Sequence, residues 1–156
     1  MTDKASERLA ALNITLPQPA APVAAYVPTV LVGNLLHISG QISFDAEGQL
    51  MLGRIGENRD LDYGYKAARA CGIMLLAQMN KALGSLDKVE RIVKLGVFVN
   101  SAGDFTDQPK VANGASELME QVFGDAGRHA RSAVGVPSLP LGAAVEIDAI
   151  VAIKAS

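Results

Sequence analysis

Two charged side chains stand alone in apolar, alternating runs near the end of the chain. Arg131 lies at the start of Ala130-Arg131-Ser132-Ala133-Val134-Gly135-Val136, and Glu146 comes early in Val145-Glu146-Ile147-Asp148-Ala149-Ile150. A guanidinium or a carboxylate on a half-buried strand is costly unless it is paired or used. A guanidinium is a planar fork that grips a carboxylate or phosphate through two parallel N–H donors. A lone carboxylate on a strand is usually a solvated edge residue or the partner of an arginine. The residues alone leave two readings of Arg131 open: a structural ion pair with Glu146, or a fork that grips an anion.

The elements that must position these residues follow from periodicity. The two runs flank Pro137-Ser138-Leu139-Pro140 and read as a β-hairpin. Upstream, residues 3–13 read as a short amphipathic helix with Leu9 and Leu12 on one side. The stretch 15–23 contains three prolines and is extended. A strand over 25–32, a tight turn at Gly33-Asn34 and a strand over 35–39 come next. Residues 40–60 are glycine-rich and read as a loop with a short hairpin. Ala68, Cys71, Leu75, Met79 and Ala82 form one apolar stripe of a helix over 61–83, with Gly84 as its end. A strand over 89–99 and a helix over 108–123, with Pro109 in its first turn, complete the order β-β-α-β-α-β-β. This predicts an α+β fold with helices on one face of a sheet. The last run is apolar on both sides, so the sheet's second face is expected to meet another subunit.

Composition sets the outer limits. The 156 residues, 16.3 kDa, fit one domain able to bury a core without staples. A net charge of −2 is a poor balance for a nucleic-acid binder. The single cysteine, Cys71, excludes an internal disulfide and fits a reducing compartment. Met1-Thr2-Asp3-Lys4 has no signal-peptide pattern, and no apolar run reaches a membrane span. The expectation is a cytoplasmic protein with no membrane partner. His37 reads as a strand residue with a satisfied ring, and His129 either touches the Arg131 pocket or merely flanks it. Neither has an acidic or cysteine partner at metal-ligand spacing, so no metal is expected. No nucleophile elbow, dinucleotide fingerprint or phosphate loop is present.

Ala130-Arg131-Ser132, Leu139-Pro140 and Val145-Glu146-Ile147 together resemble the C-terminal motif of the YjgF/Rid family, the reactive-intermediate deaminases also called endoribonuclease L-PSP proteins. Tyr26, Val32-Gly33-Asn34-Leu35, Ser39-Gly40-Gln41-Ile42, Val97-Phe98-Val99, Asp104-Phe105 and Asn113 fall in family order over about residues 22–153. The resemblance implies a chorismate-mutase-like sheet with two helices packed on one face, in a homotrimer whose sheets form an inner barrel. Residues 1–21 would be an N-terminal extension and 22–156 a single domain. It implies hydrolysis of small 2-imino or enamino acids to 2-keto acids and ammonia without a cofactor. Arg131 would bind the substrate carboxylate and Glu146 would hold the water and move protons. Tyr26, Ser39, Gly40, Asn113, Ser132 and Ala133 would contact substrate. His129 stands where the family pattern has proline, Ala133 where cysteine is frequent, and Ala25 where proline usually precedes the tyrosine. These departures indicate a side branch of the family. The rival readings are a non-catalytic trimer that binds a small carboxylate, and an endoribonuclease, which the negative charge disfavours.

Overall fold

Asp60 starts the longest helix. Its carboxylate accepts a hydrogen bond from the Tyr63 N–H at 2.9 Å, and Gly84, at φ 84, ends the helix in the left-handed conformation. The computed structural model describes residues 4–155. The Asp3 start of the anticipated first helix, the Met1–Asp3 part of the anticipated extension and the Ser156 end of the anticipated domain lie outside them. The helices are α1 (Ala5–Ala11), α2 (Leu61–Leu83) and α3 (Gln108–Phe123). The strands are β1 (Thr29–Val32), β2 (Leu35–Ile42), β3 (Val89–Asn100), β4 (Ala130–Val136) and β5 (Val145–Ile153). They form one five-stranded sheet in the order β1-β2-β5-β3-β4. The fold is α+β, with α2 and α3 packed together over one face of the sheet.

The core lies between that face and the helices. Ala68, Cys71, Leu75 and Met79 of α2 meet Leu95, Val97, Val99, Val145, Ile147 and Val151 of the sheet. Ala82, anticipated in the same stripe, is exposed at the helix end. Leu9 and Leu12 flank the same core, and the Ser6 hydroxyl donates to Asp87 at 2.9 Å. Among the described residues, no helix is long and apolar enough to cross a membrane.

The closing hairpin is not formed. β4 pairs in parallel with β3, while β5 lies antiparallel between β2 and β3. Burial explains this order. Val145, Ile147 and Val151 of β5 are fully buried, which suits a central strand, whereas β4 exposes Ala130, Ser132, Val134 and Gly135, which suits an edge. The chain passes from β3 through α3 to β4, the helical crossover that parallel pairing needs. β1 begins only at Thr29, because Pro28 has no N–H for a ladder. β2 continues to Ile42 through a register shift between Ile38 and Gln41, the stretch that carries Ser39 and Gly40.

Candidate functional site

Arg131 is the second residue of edge strand β4 and sits in register with Leu95. Leu95 is fully buried under the helices, so the Arg131 side chain leaves the sheet on that side and meets α3. Its Nη1 donates to Asn113 Oδ1 at 2.9 Å and to Ser116 Oγ at 3.0 Å. Those two bonds use both Nη1 hydrogens. Among the described residues, Nε and Nη2 have no protein partner, so one edge of the guanidinium remains a free two-donor fork.

Asn113 and Ser116 are one turn apart on α3, which brings both to the same face. The Ser116 hydroxyl is 2.8 Å from His129 Nε2, and His129 Nδ1 is 2.6 Å from the Gly127 carbonyl. A carbonyl only accepts, so Nδ1 carries the ring proton, Nε2 accepts, and Ser116 donates to it. Burial lowers the His129 pKa from its ordinary value. The Gly127 carbonyl opposes this and the Arg131 charge adds to it. The imidazole is therefore neutral at pH 7. Ser116, His129 and Arg131 line a cavity of about 260 Å³ together with Glu117, Glu120 and Arg128. Arg128 Nε lies 3.4 Å from Glu120, and Glu117 accepts from the Tyr65 hydroxyl at 2.7 Å.

Glu146 is in register with Phe98 of β3 and Ile42 of β2, on the sheet face away from the core. It is half-buried, and its pKa is raised, first by burial and then by the Asp148 carboxylate two residues along the same face. The carboxylate lies over Gly40, at the place a Cβ would occupy, so the close approach depends on the missing side chain. Gly40, Ser39 and Tyr26 line a second cavity of about 150 Å³ that also touches Gln41, Met74 and Gln78. The Ser39 hydroxyl donates to the Val27 carbonyl at 2.8 Å, which ties β2 to the segment carrying Tyr26.

Within one chain the residues anticipated for the site thus form two groups. Arg131 and Asn113 are in direct contact; Tyr26, Ser39, Gly40 and Glu146 lie elsewhere. Arg131 and Glu146 are not an ion pair, because the sheet separates them. Ser132 is in register with Gly96 and is exposed on the far face, whereas Ala133 is in register with Val97 and packs towards the core. The Cys71 thiol donates to the Val145 carbonyl at 3.3 Å, and its pKa is raised well above the usual value by burial and then by Glu146, so it stays a core thiol. The His37 ring is exposed, with no protein partner among the described residues, rather than satisfied.

Sequence reasoning missed Ser116 and Gly127. Ser116 had a usable signal, its three-residue spacing from Asn113 on a helix; Gly127 had none, because it contributes only a carbonyl.

A family model described as "YjgF/chorismate mutase-like, putative endoribonuclease" matches residues 6–151. Protein TCP17 of Trypanosoma cruzi is 52% identical over 156 residues, covering 97% of this chain and 98% of its own. A protein of Dermatophagoides farinae named 2-iminobutanoate/2-iminopropanoate deaminase is 32% identical over 141 residues, covering 90% of this chain and 95% of its own. Among solved structures, Atu1372 of Agrobacterium tumefaciens superposes with a TM-score of 0.88 at 45% identity, covering 96% of this chain and 94% of its own.

Proposed function

This chain belongs to the YjgF/chorismate mutase-like family, and on that premise we propose that it hydrolyses small 2-imino or enamino acids to 2-keto acids and ammonia. The observation that carries the reading is the Arg131 guanidinium, held on Nη1 by Asn113 and Ser116 with Nε and Nη2 unpartnered among the described residues, on a side chain that lines a cavity of about 260 Å³. That edge fits the carboxylate of an imino acid, and the imine needs no cofactor because its C=N carbon is already electrophilic. Fixing the carboxylate holds that carbon in reach of water. Glu146 takes a proton from the water as its oxygen bonds to the carbon and passes it to the nitrogen as the C=N π bond opens. It then moves the hydroxyl proton of the carbinolamine to the same nitrogen, so that the C–N bond breaks with ammonia leaving as the keto C=O forms. The half-buried setting that raises its pKa suits an acid–base group.

Arg131 and Glu146 leave opposite faces of the sheet, so a pocket that uses both is built by two copies, each giving one of them. This supports a homotrimer. Large apolar side chains exposed on the two edge strands, Val30, Leu31 and Val32 of β1 and Val134 of β4, are in keeping with subunit contacts. The purified protein should run at about three times 16.3 kDa in sedimentation analysis. The substrate is a small carboxylate rather than RNA, for which a net charge of −2 is a poor balance.

The test is release of ammonia and keto acid from an imine generated in place by an amino-acid oxidase, with and without the protein. Acceleration by the wild type supports the reading. Keto-acid binding without acceleration would make the protein a carboxylate-binding module instead.

A further inference from the structure

The position two residues before Arg131 carries a histidine, and its ring is wired to the arginine. The chain of donors runs in one direction. Arg131 Nη1 donates to Ser116 Oγ at 3.0 Å, the Ser116 hydroxyl donates to His129 Nε2 at 2.8 Å, and His129 Nδ1 donates to the Gly127 carbonyl at 2.6 Å. The far end is fixed. Gly127 is buried, and a Cβ there would run into the Met119 carbonyl and the Glu120 amide, so this turn is pressed against α3. The near end is fixed by the second Nη1 bond, to Asn113 at 2.9 Å.

We propose that Ser116 and His129 are positioning residues of the carboxylate clamp: by committing the serine proton to the imidazole, they make Ser116 an acceptor for Arg131 Nη1 and thereby present the Nε–Nη2 edge to the ligand. The proposal deepens the imino-acid reading and rests on it for the identity of the ligand. A serine whose proton is free points it at any nearby acceptor, and at a bound carboxylate most of all. Ser116 does not, because His129 Nε2 takes that proton. Nη1 is then saturated by Asn113 and Ser116, and the ligand meets the edge with parallel donors.

Protonation of His129 reverses the link between Ser116 and the ring and leaves the Nδ1 bond to Gly127 in place. Nε2 becomes a donor to Ser116, and the hydroxyl proton turns into the cavity, where it adds a donor for an anion beside a second positive charge. The charged groups that line the cavity with the ring are Arg131 of β4, Arg128 after α3, and Glu117 and Glu120 of α3, and of these Arg131 acts on the ring charge. Carboxylate affinity therefore rises as pH falls through the His129 range. Bound carboxylate in turn raises the His129 pKa.

The probe is 2-oxobutanoate, titrated by calorimetry into the full-length protein and into Ser116→Ala, Ser116→Thr, His129→Phe and the Ser116→Ala/His129→Phe double variant. Removing one hydrogen bond to a charged group weakens binding by roughly tenfold or more. Ser116→Ala should show such a loss and Ser116→Thr should restore most of it. His129→Phe keeps the ring shape and should weaken binding less, with no further loss when added to Ser116→Ala and with less affinity gained between pH 8 and pH 5 than the wild type shows. Additive losses, or a pH response unchanged by His129→Phe, would overturn the relay.

A second readout needs no ligand. In nitrogen-detected NMR the Arg131 Nη1 and Nη2 groups should give separate signals in the wild type that merge in Ser116→Ala. Merged signals in the wild type would overturn the lock. Failure of the wild type to bind 2-oxobutanoate or release ammonia would count against the imine reading, and the NMR result would still decide whether Ser116 positions Arg131.

Discussion

Arg131 and Glu146 leave the same sheet on opposite faces. Arg131 shares its register with Leu95 and, through it, Ala149 of β5, while Glu146 stands three residues earlier on β5 against Phe98. Leu95 is buried under the helices, and Phe98 belongs to the other side. The proposed clamp and acid–base group therefore respond to substitution independently in the single chain, and would meet only across subunits of the proposed trimer.

Arg131→Lys should lose most imine hydrolysis. An ammonium replaces a parallel two-donor edge by a point charge and also gives up the bonds to Asn113 and Ser116. The expected loss in kcat/KM is roughly 10–100-fold, from one or more charge-assisted hydrogen bonds. The melting temperature should change little, because the site is at a partly exposed edge strand. Steady-state rates beside a thermal melt check this, and near-wild-type rates would remove the clamp.

Glu146 should set the acidic limb of the pH–rate profile. As a base it must be ionised, so activity falls as pH drops through its raised pKa. Asp148 contributes to that rise by like-charge repulsion, second to burial. Asp148→Asn removes the repulsion, lowers the Glu146 pKa and moves the acidic limb to lower pH. Glu146→Gln should abolish the limb and cut the rate by about 10²–10⁴-fold. A profile unmoved by Asp148→Asn would show that another group limits the rate.

Gly40→Ala should hurt catalysis more than stability. The added methyl would occupy the space taken by the Glu146 carboxylate, whose flexible end can swing away at small cost. A displacement of about 1 Å in an acting group costs on the order of 10²-fold in rate. The pairing of a lowered kcat with an almost unchanged melt distinguishes this from general unfolding.

Gly114→Ala should do the reverse. A Cβ there would strike the Tyr65 carbonyl oxygen, at the close crossing of α2 and α3. Backbone does not give way as a side-chain tip does, so overpacking should cost about 1–3 kcal/mol. For a chain of this size that is a fall of roughly 2–12 °C in Tm. Scanning calorimetry reads it directly.

Much of the fold was legible in the chain because its signals are local. Asp60 and Gly84 bracket α2 and Pro109 opens α3, so both helices span the residues that periodicity assigned them. Alternation marked β3, β4 and β5, while the first two strands were read over 25–32 and 35–39 and are found over Thr29–Val32 and Leu35–Ile42. The ordered motif around Arg131, Ser39-Gly40 and Glu146 also pointed to the family to which the chain belongs. What misled was treating alternation near a proline-rich connection as evidence of pairing. A strand's pattern records which of its faces is buried, not which strand lies beside it.

The sequence by itself determined the elements, the apolar face of each helix and the two charged residues that stand out. Only the tertiary structure decided that β3 comes between β4 and β5, and hence that Arg131 and Glu146 are on opposite sides. It alone decided that Arg131 is held by Asn113 and Ser116, which are 18 and 15 residues away along the chain, and that His129 reaches back to Ser116. The physical reason is the same in each case. Caps, turns and periodicities are written within a few neighbouring residues, whereas strand order and side-chain contacts across a helix crossover depend on how separate elements bury their apolar faces together.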